Sequence, residues 1–141
     1  MIFNPTRDQA RQFLFEAWRK HRAQELLTPL EHMVVQLIAK HPEYHMLLDN
    51  PERYLNHEYH PQQGETNPFL HLMMHLTIDE QISIDQPAGV RAHFARLAKK
   101  FGSEHDAQHH MMECLGEMIW QSQREGVQPD AGVYLSCLAK K

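Results

Sequence analysis

The chain reads as an all-α protein, a single-domain irregular helical bundle of about five to seven helices. Three observations carry that reading. No segment alternates polar and apolar residues for long enough to form a strand. Apolar residues recur instead at helical spacing, behind Asn-Pro, Thr-Pro or Ser caps and ahead of glycine or proline stops. The connections are short, and no repeat, low-complexity tract or long linker divides the 141 residues, so one helical domain is expected over 1–141.

The first helix opens at Asn4-Pro5 and runs to about His21, with Phe13, Leu14, Ala17 and Trp18 as its apolar side. Thr28-Pro29-Leu30-Glu31 is a capping box with proline at the first helical position, followed by Met33, Val34, Leu37 and Ile38. This second helix stops near Lys40, because His41 precedes Pro42 and a residue before proline avoids the α region. The proline-broken stretch that follows predicts two short helices, around Glu43 to Leu48 and Pro51 to Asn56, and Gln62 to Thr66 reads as a loop. Asn67-Pro68 then caps a helix reaching about Ile84, on which His71, His75, Ile78 and Ile82 share an arc of about 60°. Leu72, Met73 and Leu76 cover much of the rest, so little of this helix can face water. Gln86-Pro87-Ala88-Gly89 breaks the chain before an amphipathic helix that closes at Gly102. Ser103 caps a long helix with Met111, Met112, Leu115, Met118 and Ile119 on the core side, stopping at Gly126. Gln128-Pro129-Asp130 starts a last short one carrying Val133, Tyr134 and Leu138.

Charge excludes one class of partner. Eighteen acidic residues outnumber 14 basic ones, a net charge of -4, so no basic excess is present to neutralise phosphates, and nucleic acid is not expected. The N-terminus lacks an apolar signal core and no run approaches the roughly 20 apolar residues that span a bilayer, which predicts a soluble cytoplasmic protein without a membrane partner. Cys114 and Cys137 fall in expected helices without CxxC spacing. Buried free thiols are expected of both, rather than a disulfide frame or zinc ribbon.

Histidine is the compositional outlier, with 12 in the chain. His71 and His75 stand one turn apart on the central helix; His105, His109 and Glu113 stand at i, i+4 and i+8 on the later long one. Imidazoles one turn apart on a helix can share an ion, and bundles build metal sites from inward-facing His and Glu of neighbouring helices. With a short helix returning the chain between them, these two helices run parallel. His71 and His75 then lie about 6 and 12 Å from their helix start, and His105, His109 and Glu113 about 3, 9 and 15 Å from theirs. The heights overlap. The expected site is therefore one transition-metal ion on His71, His75 and His109, with His105 or Glu113 completing the shell. Histidine with carboxylate favours zinc, iron, manganese, nickel or copper over calcium or magnesium, with zinc or iron the leading expectation.

A metal-free alternative stands beside it, since 12 histidines in helical sequence produce i, i+4 pairs readily. Under it the histidines are satisfied core residues of a protein-interaction module, binding a partner protein or a second copy of the chain. The pair in His41-Pro42-Glu43-Tyr44-His45, with His57 and His60 beyond it, is expected to have a surface or cap role. Met73, Met74, Met111 and Met112 read as adaptable core filler. H-E-x-x-H and paired Glu-x-x-His motifs are absent, and no nucleophile stands beside a base, so no catalytic residue is assigned.

The blocks FNPTRDQ, LTPLE, HPEYH, TNPFLH, DEQISIDQPAGVR and HMMECLGEMIWQ resemble the bacterial, mainly proteobacterial, family catalogued as domain of unknown function 1841. The likeness spans nearly the whole chain. It implies a small helical intracellular protein, and it supplies no catalytic residues.

Overall fold

The computed structural model describes residues 6–60 and 67–141, and these form eight α-helices, one 3-10 turn and no strand. The all-α expectation holds. The helices are α1 (Arg7–Arg22), α2 (Pro29–Ala39), α3 (His45–Leu48), α4 (Pro51–Tyr54), α5 (Pro68–Ile84), α6 (Val90–Phe101), α7 (Glu104–Glu125) and α8 (Ala131–Lys140), with the 3-10 turn at Pro42–Tyr44. The count of α-helices exceeds seven because both four-residue helices of the proline-broken stretch, α3 and α4, are included in it. Asn4-Pro5 and the Gln62 to Thr66 loop lie outside the described residues. Among the described residues no helix is long and apolar enough to cross a membrane. Chain contacts divide the structure into two units, one ending at Leu76 and the other Thr77–Lys141, so the boundary falls within α5.

In the first unit, Thr6 caps α1 through the amide of Gln9, whose side chain answers the Thr6 amide, a capping box in place of the expected Asn-Pro start. The box predicted at Thr28 is present on α2. α1 and α2 bury Leu14, Phe15, Ala17 and Trp18 against Val34, Val35, Leu37 and Ile38, joined by Leu48, Phe69, Leu72 and Leu76. A polar residue stands at the edge of this core. Arg11 is 2% exposed, and its guanidinium donates to the carbonyls of Leu55 (3.0 Å) and His57 (2.7 Å) while lying 4.5 Å from the Phe69 ring centre. Those bonds fasten the end of the proline-broken segment to α1. Its middle, where α3 ends, is fastened by Asp49, which accepts from the Trp18 indole (2.8 Å) and from Arg22 (3.0 Å).

In the second unit, α6, α7 and α8 bury Val90, Leu97, Ala107, Met111, Cys114, Leu115, Tyr134 and Leu138, together with Ile78 of α5. Gly102 and Gly126 end α6 and α7 at φ 83° and 66°, the left-handed conformation that glycine adopts without strain. Polar groups of α5 are absorbed pairwise. Gln108 donates to Asp79 (2.6 Å), and the buried Tyr134 hydroxyl donates to Gln81 (2.7 Å). Burial pushes the Tyr134 phenol well above its usual range, which keeps it a neutral donor.

Two expectations are corrected in this unit. Cys114 and Cys137 are not free thiols: they form a disulfide between α7 and α8, with Cα atoms 5.5 Å apart. The packing of α8 on α7 closes a sequence separation of 23, which no local spacing shows. The core side of α7 also ends earlier than its apolar pattern, since Ile119 is 36% exposed and Trp120 53%.

Two measurements check this account. Glu31 is 5% exposed; the Thr28 amide (2.9 Å), then Lys20, hold its carboxyl below the usual range against the opposing effect of burial. A depressed folded pKa contributes stability above the unfolded value of about 4.3 and loses it as pH falls through the folded one. Glu31→Gln should thus cost about 1 kcal/mol at pH 7 in denaturant unfolding, with the gap to wild type narrowing below about pH 4.3. Tyr134→Phe, which leaves Gln81 without that bond, should cost about 1–3 kcal/mol in the same measurement.

Candidate metal centre

α2 ends at Ala39 because Pro42 follows closely, and His41 takes up a non-helical pre-proline conformation at φ -126° and ψ 69°. Its ring nonetheless continues the apolar stripe of Leu37 and Ile38 and is 4% exposed. The Nδ1 of His41 lies 2.9 Å from the Leu37 carbonyl oxygen. A carbonyl only accepts, so Nδ1 is the donor in this bond and Nε2 is the ring nitrogen that could ligate an ion. A metal-ligating histidine is oriented in this way, donating its second ring nitrogen to a backbone carbonyl.

α5 supplies the next rings. Asn67 accepts from the amides of Phe69 and Leu70, which fixes the start of the helix and the rotation of its histidines. His75 is fully buried, with its ring centre 5.3 Å from that of His41 and 4.7 Å from that of His71. His71 is half-buried and meets His41 edge-on at 5.2 Å. Tyr44 stacks on His41 at 5.4 Å, near parallel, and so limits where that imidazole can turn.

α7 begins at the Ser103 cap, where the hydroxyl accepts from the Asp106 amide. His105 and His109 occupy its first turns, with ring centres 4.3 Å apart and both rings half-buried. His41, His75, His105 and His109 each offer a ring nitrogen, and the four nitrogens lie within 4.8 Å of one another. A tetrahedral ion holding nitrogens at 2.0–2.1 Å would set them about 3.3–3.4 Å apart. Ligation thus asks for small inward shifts.

Of the five residues expected from the sequence, the structure brings His75, His105 and His109 into this group. His71 packs beside it. Glu113 is elsewhere: its exposed carboxylate pairs with the Lys141 ammonium, which holds it below the usual carboxylate range. Eight residues of helix separate Glu113 from His105, about 12 Å of rise and 80° of rotation, too far for both to address one ion. His41 is the member that sequence reasoning missed, and the surface role expected of it is corrected by its burial. The signal was present in the spacing of Leu37, Ile38 and His41, but the proline after it read as the end of the stripe.

The arrangement defines a helical protein with a clustered set of histidines and no assigned reaction. The family model described as "Domain of unknown function (DUF1841)" matches residues 6–140, and the chain belongs to that family. No curated protein and no solved structure matches it.

Proposed function

We propose that this protein binds one transition-metal ion through His41, His75, His105 and His109. The observation that supports the reading is the convergence of four ring nitrogens within 4.8 Å. The Nδ1–H of His41, already donated to Leu37, supplies the outer support that such a ligand uses. Imidazole donors suit zinc, iron, copper and nickel, and zinc or iron is the proposed ion. Four ring ligands fill a tetrahedral shell, so the ion stabilises or is carried by the protein and is not an open hydrolytic centre. The acidic charge balance and the absence of a long apolar helix among the described residues support a soluble cytoplasmic setting, with no nucleic-acid or membrane partner.

A second reading, the metal-free interaction module, draws on the same hydrogen bond: the Leu37 carbonyl satisfies one nitrogen of His41 without an ion, and the surrounding rings pack against one another. Elemental analysis of untagged protein decides between them. One ion per chain is expected, lost in His75→Gln and in His41→Gln and kept in Glu113→Gln. Removing the ion with a strong chelator should lower stability by about 2.7 kcal/mol for each hundredfold by which free metal exceeded its dissociation constant. Substoichiometric metal after growth in supplemented medium, or a melting curve that chelation leaves unmoved in protein shown to start loaded, would overturn the metal reading and return the histidines to the core.

A further inference from the structure

The disulfide has one exposed side. Cys114 is fully buried between the helices of its unit, whereas Cys137 is half-buried and lines an open groove of about 710 Å³ along α7 and α8. The groove also carries Glu117, Asp130, Lys140 and Lys141, two carboxylates and two ammonium groups. Lys141 is engaged with Glu113, and Lys140 is exposed. Charges of both signs around a sulfur complement a ligand that itself carries both, a carboxylate toward the lysines and an ammonium toward the acids. The volume is in the range of small-molecule sites.

We propose that Cys114–Cys137 is an exchangeable redox couple whose partner is a zwitterionic, amino-acid-derived thiol bound in this groove, with Cys137 the attacked sulfur and Cys114 the resolving one. The thiolate of the small thiol attacks Sγ of Cys137, and the bond between the two cysteine sulfurs breaks. The electron pair leaves on Sγ of Cys114, which takes a proton from water. The mixed disulfide then has two fates. Cys114 thiolate attacks Sγ of Cys137, restores the protein disulfide and expels the small thiolate; or a second small thiol attacks the adduct and leaves both cysteines reduced, with one small disulfide formed. Two small thiols are oxidised for each protein disulfide reduced, so the electrons balance. Burial leaves Cys114 unable to receive a thiol from solution while the fold is intact, which makes the two positions unequal. Such a reactive bond also agrees with a cytoplasmic setting, where lasting disulfides are rare. The inference does not depend on the histidine group.

The test uses the reduced full-length chain and glutathione disulfide as probe, without denaturant, followed by alkylation and peptide mapping. The glutathionyl group is expected on Cys137 alone, transiently in wild type and stably in Cys114→Ala. Should that variant fail to fold, the transient adduct of the wild type carries the result. A glutathionyl group on Cys114 of folded protein, or no reaction until denaturant is added, would overturn the proposal and leave the bond a permanent brace. Lys140→Glu should slow the glutathione reaction about threefold to tenfold more than it slows the reaction with the neutral 2-mercaptoethanol disulfide at low salt. Equal effects on the two probes would remove the groove from the recognition.

Discussion

A helix that is buried on most of its circumference must carry its polar groups inside with it. On α5, Leu72, His75, Leu76, Thr77, Ile78, Glu80 and Gln81 are all buried. Each polar member costs on the order of 1–3 kcal/mol unless it finds a partner. Asp79 and Gln81 find theirs in Gln108 and Tyr134. His75 lies where the rings of His41 and His71 pack around it. The histidines are therefore part of the answer to a burial problem as well as candidates for chemistry, and both roles need the same rotation of α5. The Asn67 cap sets that rotation from one end.

The proline-broken stretch after α2 shows how a segment with little secondary structure is held. α3 and α4 have four residues each, too short to be stable alone. They are held by side chains of α1. Asp49 takes the Trp18 indole and Arg22, and Arg11 reaches the carbonyls at the far end. Backbone groups that no helix satisfies are thereby paired with side chains of a rigid element, as buried carbonyls require. This fixes the segment that carries His41 and Tyr44. A substitution at Arg11, far from the histidine rings in sequence, acts on their support rather than on their chemistry.

Much of the helix map was legible in local chemistry. The capping box at Thr28, the Asn67 and Ser103 caps and the left-handed glycines at 102 and 126 act over four or five residues, and their effects are visible in a single stretch of chain. Boundaries in the proline-broken region came out nearly as expected for the same reason, since proline constrains its own φ and its neighbour's conformation. The histidine group was legible only in part. Periodicity placed His75, His105 and His109 on two helices with overlapping heights, but Glu113 fell outside because a carboxylate that meets a lysine through the folding of α8 obeys no local rule.

By itself, then, the sequence determined that the chain is helical, where most helices start and stop, and that two histidine pairs stand on faces able to point inward. These are consequences of backbone sterics, capping and the 3.6-residue period, all short-range. Tertiary structure alone decided three things: that His41 joins the cluster, that Arg11 is buried, and that Cys114 and Cys137 are bonded. Each depends on distances between residues far apart in the chain, which are set by how helix faces pack to bury apolar surface. Packing is a property of the whole set of side chains at once, so a local pattern that ends at a proline or lacks a CxxC spacing carries no trace of it.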